Sequence, residues 1–178
     1  MMKEFKQDNN AKSLTFYFNK KKKFSLIGKK HIEFLCKMVR KRRQSCRICL
    51  HNDSEDTLHN MIIAHPKNIY IRPHKNPYNA KAYHIIKGAM RIIGIEDNGN
   101  KIFDLVINKK HKVLRLEPNV YLLLIPKTNI VVFQEIALGP FRREGENSQV
   151  YAPFSPEDTN QIAVKHFITK YTKEKNAR

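Results

Sequence analysis

The chain has 178 residues, of which 41% are hydrophobic and 10% aromatic, enough for one folded domain with its own core. It carries 34 Lys and Arg against 16 Asp and Glu, a formal net charge of +18. No apolar run approaches the roughly 18 residues of a membrane span, and the start MMKEFKQDNN has no apolar signal segment. We therefore expect neither a transmembrane segment nor a secretory leader, and a cytoplasmic location.

The basic charge is concentrated near the N-terminus. Residues 1–47 hold 15 Lys and Arg but three acidic residues, a balance of +12, with dense clusters at Lys20–Lys23 and Arg40–Arg43. Residues 1–28 are expected to form a basic, partly disordered segment with a short strand at Leu14–Phe18. The charge can attract a polyanion or can simply be a solvated surface. Since no helix-turn-helix, RNP or zinc-finger pattern accompanies it, sequence-specific binding to nucleic acid is not expected.

Helical spacing of apolar residues predicts one amphipathic helix over residues 29–42, with a basic outer face. Its apolar positions are Ile32, Leu35, Cys36 and Val39. Beyond this helix, Cys46 and Cys49 form a C-x-x-C without a second pair at zinc spacing. We interpret them as packed thiols of a reducing compartment rather than as a metal or redox site.

The remainder is typical of strands. Short runs rich in Ile, Val, Leu and Tyr occur at about residues 47–50, 61–64, 69–74, 82–87, 89–96, 101–107, 113–116, 120–125 and 130–136. Asp97 to Asn100 between two of them is a strong hairpin signal. The pattern predicts an all-β barrel or double sheet over about residues 47–136. Helical spacing at Ile162, Ala163, His166 and Phe167 predicts a short helix in a C-terminal tail, residues 159–178.

One pair of predicted strands carries an unusual polar face. Alternation along residues 70–74 places Tyr70, Arg72 and His74 on one face, and alternation along the next strand places Lys81, Tyr83 and Ile85 on one face. Such a face is either the wall of a pocket or the solvated side of an edge hairpin.

The residues of this region support a family resemblance. The runs RICLH at Arg47, RPHKNPYNAKAYHIIKG at Arg72, GPF at Gly139 and APFSPED at Ala152 occur in an order and spacing that resembles the WbuC family of cupin-fold metalloproteins. Those proteins lie in bacterial surface-polysaccharide gene clusters. The likeness covers about residues 29–158 and implies a cupin-type double-stranded β-helix, a jelly-roll-like barrel, with a role in O-antigen (lipopolysaccharide) or capsule biosynthesis.

The resemblance also implies a changed metal site. The family's first motif has the form His-x-His, then Glu, then Gly, and the positions here are His74, Asn76, Lys81 and Gly88. In the second motif Leu123 stands where a further histidine is expected. Three of four ligand positions have lost their donor, so we expect no cofactor and at most a weakly held divalent metal at His74.

The Lys81 ammonium, at the position where the family has a Glu carboxylate, would favour an anionic ligand. The expected ligand is an anionic sugar or nucleotide-sugar. If the protein is an enzyme, it is a metal-independent isomerase- or epimerase-like cupin, with His74 as acid or base and Tyr83 as its polar partner. The residues expected to contact the ligand are Arg72, Lys81, Asn76, Tyr70, Tyr121, His51 and Glu135.

A second class of function stays open at this point. The protein can be a non-catalytic interaction module that keeps the fold and binds a polyanion through its basic N-terminal helix. A homodimer is compatible with either class.

Overall fold

The computed structural model describes residues 3–11, 13–19, 23–141 and 148–173. Within these ranges the chain forms twelve strands and two helices. The strands are β1 (Phe5–Asp8), β2 (Leu14–Phe18), β3 (Cys46–Cys49), β4 (Leu58–Pro66), β5 (His74–Lys75), β6 (Lys81–Lys87), β7 (Met90–Ile95), β8 (Lys101–Ile107), β9 (Val113–Leu116), β10 (Tyr121–Pro126), β11 (Ile130–Leu138) and β12 (Val150–Tyr151). The helices are α1 (Lys29–Arg42) and α2 (Gln161–Thr172).

The strands form two sheets that face each other. The seven-stranded sheet has the order β1-β2-β3-β4-β11-β6-β9, and the five-stranded sheet has the order β12-β5-β10-β7-β8. All neighbours pair antiparallel except β2 and β3, which are parallel. Side chains from both sheets fill the space between them with one apolar cluster that includes Ile63, Ile92, Leu122 and Phe133. This arrangement confirms the predicted all-β, jelly-roll-like barrel.

Helix α1 lies against the outer face of the seven-stranded sheet. It buries His31, Leu35, Cys36 and Val39, and it ends at Arg43, whose left-handed backbone has φ 53°. The predicted amphipathic helix is therefore confirmed, because the apolar stripe at helical spacing is the face that packs on β3, β4 and β11.

Helix α2 confirms the predicted C-terminal helix and covers the outer face of the five-stranded sheet. The Asn160 side chain accepts a hydrogen bond from the Ala163 backbone N–H at 3.1 Å, which caps its N-terminus. Phe167 and Tyr171 pack on Ile93 and neighbouring residues of the sheet. The Tyr171 hydroxyl also donates to the Gly99 carbonyl at 2.8 Å.

The structure departs from the predicted strands in three places. It has a strand, β1, within the N-terminal segment that was expected to be partly disordered, because Phe5 is buried against Phe34 and Phe18. The predicted strand over residues 69–74 is reduced to β5, because Pro73 has no backbone N–H for pairing. Strand β12 adds an edge pair that the sequence did not indicate.

Some predictions fall on residues outside the described ranges. These are Lys20 to Lys22 of the first basic cluster, residues 142–147 of the cupin-like region and residues 174–178 of the tail. Neither described helix has the length and apolar composition needed to cross a membrane.

Candidate functional site

Four polar side chains lie close together in the apolar interior of the barrel. They come from three strands: His74 from β5, Lys81 and Tyr83 from β6, and Glu135 from β11. Glu135 lies directly opposite Tyr83 in the β6–β11 pairing, and His74 lies opposite Leu122 of the interior cluster. Because paired residues share a face, the register turns all four side chains toward the same space between the sheets. We refer to them as the interior polar cluster.

An ion pair lies at one end of this cluster. The Lys81 Nζ is 3.9 Å from Glu135 Oε1, and the two side chains are 10% and 15% exposed. That distance is too long for a hydrogen bond, and neither polar end group makes a hydrogen bond to another described residue. Lys81 and Glu135 therefore keep donors and acceptors available while neutralising each other's charge. Both residues were expected to contact the ligand, and the structure places their side chains next to each other.

Tyr83 presents a buried donor. The residue is 1% exposed, its ring packs edge-on against Phe133 at 5.5 Å, and its hydroxyl has no hydrogen-bond partner within the described part of the chain. Burial, with the Glu135 carboxylate, raises the pKa of Tyr83 well above its ordinary value. The phenol therefore stays protonated, and its O–H is free to bond to a ligand.

His74 presents an acceptor. Its Nδ1 donates to the Arg72 carbonyl at 3.0 Å, and because a carbonyl can only accept, Nδ1 carries the proton. Burial, followed by the charge of Lys81, lowers the pKa of His74 to about 3. At neutral pH the ring is therefore uncharged, which leaves a lone pair on Nε2 for a proton or another donor.

Arg72 lies next to this histidine at the edge of the barrel. Its Nε donates to Ser155 Oγ at 3.2 Å, and one of its terminal nitrogens is 3.7 Å from Glu157 Oε1. Its guanidinium carbon lies 5.0 Å from the ring centroid of Tyr151, and that ring is 6.3 Å from His74. Arg72 and Tyr151 thus border the interior polar cluster on its solvent side.

Other residues expected at the site lie elsewhere. The Tyr70 hydroxyl donates a hydrogen bond to the Pro156 carbonyl at 3.0 Å. Tyr70 and Tyr121 both pack under α2. The Lys75 ammonium lies 4.7 Å from the Tyr121 ring centroid, on the outer side of the sheet. The Asn76 side chain accepts from two backbone N–H groups of its own turn. None of these three expected ligand contacts is therefore directed into the barrel.

His51 is also separate from the interior polar cluster. Its ring stacks on His59 at 4.2 Å, and its Nδ1 contacts the Asn60 backbone. Burial, then the neighbouring His59, lowers the pKa of His51 to about 4. His51 borders a cleft of about 340 Å³ together with Phe24 and other residues.

Sequence reasoning missed His65. This residue is buried, its Nδ1 lies 2.7 Å from Ser45 Oγ, and its ring is 5.3 Å from Phe133. Burial, then the charge of Arg47, lowers its pKa to about 3. The signal was present, because His65 follows Met61 and Ile63 at a spacing of two along β4.

The donors do not fit a metal. The described ranges contain no group of three or more His, Cys, Asp or Glu placed to hold an ion. Leu123, matched to the missing family histidine, packs toward α2, whereas Leu122 and Leu124 face the interior. The Lys81 ammonium also stands beside Glu135, the carboxylate of the interior polar cluster, and would repel a cation.

The two cysteines of the C-x-x-C are packed thiols, as interpreted. Cys46 is buried on the α1 side of β3 and Cys49 faces the barrel interior. Burial raises the pKa of Cys46 to about 12 and that of Cys49 to about 11. Thiols on opposite faces of one strand cannot chelate an ion together.

Comparison with known proteins supports the fold. Residues 31–107 match a domain of unknown function (DUF6016), and no curated protein matches the sequence. The capsular polysaccharide assembling protein CapF of Staphylococcus aureus is similar in structure, with a TM-score of 0.51 and 8% identity over 59% of this chain and 29% of CapF.

Two further structures resemble the chain at lower TM-scores. A cupin superfamily protein of Desulfitobacterium hafniense has a TM-score of 0.42 and 17% identity over 53% of this chain and 77% of that protein. Procruciferin, an 11S globulin of Brassica napus, has a TM-score of 0.42 and 14% identity over 52% of this chain. The chain spans only 24% of procruciferin's length. Identities this low indicate the fold alone, and the two facing sheets of the described chain form the predicted jelly-roll-like barrel.

Proposed function

We propose that this protein is a WbuC-like cupin of bacterial surface-polysaccharide biosynthesis that binds an anionic sugar or nucleotide-sugar inside the barrel, without a tightly held metal. The observation that carries the proposal is the buried Tyr83 hydroxyl, which has no partner in the described chain. A buried donor without a partner costs about 1–3 kcal/mol, so natural structures keep one mainly where something else bonds to it. The structural similarity to CapF, a capsular polysaccharide assembling protein, supports the same class of role.

The ligand class follows from the groups that are available. A sugar offers hydroxyl groups that can accept from Tyr83 and donate to His74 Nε2 or Glu135. An attached carboxylate or phosphate would share the Lys81 ammonium, which is only loosely paired at 3.9 Å, or the Arg72 guanidinium at the edge. A purely apolar ligand would leave all of these groups unpaired.

The same groups support proton transfer at a sugar carbon. His74 would remove a proton from a carbon beside a carbonyl and return it to either face. An anionic ligand close to the ring would raise the pKa of His74 and make it a better base. Because burial keeps Tyr83 protonated, its role is to donate a hydrogen bond to the developing oxyanion, together with Lys81.

Calorimetry with a graded set of ligands tests the proposal. Uridine diphosphate, its glucose conjugate and its glucuronate conjugate would be titrated into the wild-type protein and into Tyr83→Phe, His74→Gln and His84→Gln. His84 is exposed on the other side of β6 and serves as the matched control. We expect the conjugates to bind and the two interior substitutions to weaken binding at least about tenfold, equivalent to one lost hydrogen bond of about 1.4 kcal/mol.

Two results would reject the proposed site. One is that Tyr83→Phe and His74→Gln bind the conjugates as tightly as the control His84→Gln does. The other is no binding of any conjugate to a correctly folded protein. Incubation of the bound glucuronate conjugate in D₂O, followed by NMR, then separates catalysis from simple binding, because proton transfer by His74 would introduce deuterium at C5, the sugar carbon beside the carboxylate.

A further inference from the structure

The exposed face of α1 is a cationic stripe. Lys30, Lys37 and Lys41 follow each other along one side of the helix, with Lys29 and Arg40 beside them, and all five are exposed. The stripe runs along a helix about 21 Å long, since each residue rises about 1.5 Å. The opposite side of α1 is packed on the sheet, which holds the stripe outward.

Most of these charges are not neutralised locally. Lys29 pairs with Glu33 at 4.0 Å and Lys30 pairs with Glu4 at 3.3 Å. For Lys37, Arg40 and Lys41, by contrast, the described ranges contain no acidic group within ion-pair distance. A position near the C-terminal end of a helix explains some basic residues through the helix dipole, but Lys37 lies in mid-helix.

Two large apolar side chains stand at the other end of the stripe. Phe24 and Leu26 are each 73% exposed, just before α1 begins, and Lys23 precedes them. Ile27, which follows, packs under the helix instead. Single exposed apolar residues are common, but here two of them project beside Lys23, at the N-terminal end of the cationic stripe. Asp56 lines the same cleft as Phe24 and accepts hydrogen bonds from Asn52.

We propose that this face, made of Lys23, Phe24, Leu26 and the α1 stripe, docks reversibly on a membrane surface that contains anionic lipid. Cations attract the acidic headgroups, while the two apolar side chains enter the boundary with the acyl chains. Neither signal is strong alone, and stable peripheral binding needs both. A nucleic acid would satisfy the cations but would leave Phe24 and Leu26 in water, which is why the membrane is the better fit.

Vesicle sedimentation tests the inference with purified full-length protein. Vesicles of phosphatidylcholine alone would be compared with vesicles that also contain phosphatidylglycerol, at increasing salt. We expect binding only to the anionic vesicles, with a steep loss as salt rises from about 0.1 M toward 1 M. Both Lys37→Glu/Arg40→Glu/Lys41→Glu and Phe24→Ser/Leu26→Ser should weaken binding at least about tenfold.

Matched controls distinguish binding through this face from nonspecific electrostatic or hydrophobic binding. Lys109→Glu/Lys110→Glu/Lys112→Glu makes the same charge change in an exposed turn, and Ile102→Ser/Val106→Ser removes two other exposed apolar side chains. These variants should bind within about twofold of wild type, since they leave the α1 face intact. Circular dichroism and melting would verify that every variant is folded.

Three outcomes would overturn the inference. The first is that the folded protein fails to bind anionic vesicles. The second is that the control charge reversals weaken binding as much as those on α1. The third is that a DNA duplex displaces the vesicles and binds equally well to Phe24→Ser/Leu26→Ser, which would identify a nucleic-acid surface instead.

Discussion

Tyr83 combines complete burial with a hydroxyl that has no partner in the described chain. Removing that hydroxyl should relieve a desolvation cost without opening a cavity. We therefore expect Tyr83→Phe, without ligand, to be as stable as wild type or more stable by about 1 kcal/mol, measured by urea unfolding. A loss of about 1 kcal/mol or more would mean that the hydroxyl is bonded in the unliganded protein.

Lys81 occupies the position at which the resembled family has a carboxylate. Lys81→Glu would place two carboxylates and the His74 imidazole on the same interior face, a donor set that suits zinc. We expect this variant to bind Zn²⁺ at least about tenfold more tightly than wild type in a competition assay with a chelating dye. Lys112→Glu, an exposed lysine given the same charge change, should not differ from wild type. Equal affinity in all three proteins would contradict the placement of His74, Lys81 and Glu135 around one space.

Three imidazoles with lowered pKa values make stability depend on pH. His51 has a pKa of about 4, and His65 and His74 have pKa values of about 3. The folded state takes up these protons at lower pH than the unfolded state does. The three histidines therefore cost no free energy of unfolding above about pH 6.5, and that free energy falls as the pH drops below this value. Each imidazole contributes a slope of up to about 1.4 kcal/mol per pH unit.

The measurement is urea unfolding at a series of pH values between neutral and acidic. We expect the free energy of unfolding to drop steeply below about pH 6. In His65→Gln this pH dependence should be weaker by the contribution of about one proton, up to about 1.4 kcal/mol per pH unit. His84→Gln, an exposed residue on β6, should keep the wild-type slope. An unchanged slope in His65→Gln would show that His65 does not resist protonation in the folded protein.

The positions of the site residues were predictable where alternation along one strand decides which side of the sheet each side chain occupies. Alternation along β6 correctly grouped Lys81 with Tyr83. It failed for Tyr70, because residues 69–73 are not in a strand and alternation does not extend through them. It could not decide for Tyr121, because only the pairing of β10 with β7 and β5 shows which of its faces is interior.

At the scale of elements, α1 and the central strands were predictable because apolar periodicity reports which face is buried. The parallel pairing of β2 with β3 was not predictable, since it joins strands separated by the whole of α1. Strand β1 was hidden because one aromatic residue, Phe5, anchors an otherwise polar run. Burial of that kind depends on distant residues and leaves no local pattern.

The turn after β6 depends on Gly88. Its φ is +82°, and an added Cβ would lie 2.3 Å from Thr128 Oγ1 and 2.7 Å from the Ile130 carbonyl oxygen. Gly88→Ala should therefore destabilise the protein by more than about 2 kcal/mol, from backbone strain and from the close contact. Gly99 shares the φ of +82° but would meet only Tyr171, at 3.5 Å. Gly99→Ala should cost about 1 kcal/mol, and equal losses at both positions would contradict the close packing at Gly88.

At the scale of the whole molecule, the cupin fold leaves function open, because one fold serves many purposes. What distinguishes this chain is the division of its polar groups. The interior polar cluster is nearly neutral in sum, whereas the outer face of α1 carries unpaired cations. We therefore propose sugar binding in the interior and membrane docking on the exterior, and the two can be tested separately.

The central claim is that the ligand lies against Tyr83 and His74. A crystal structure of the protein grown with uridine diphosphate glucuronate tests it most directly. We predict sugar density between the two sheets, with one oxygen within hydrogen-bond distance of the Tyr83 hydroxyl and another group bonded to His74 Nε2. Density confined to the cleft bordered by His51 and Phe24, with the interior polar cluster unchanged, would contradict the account.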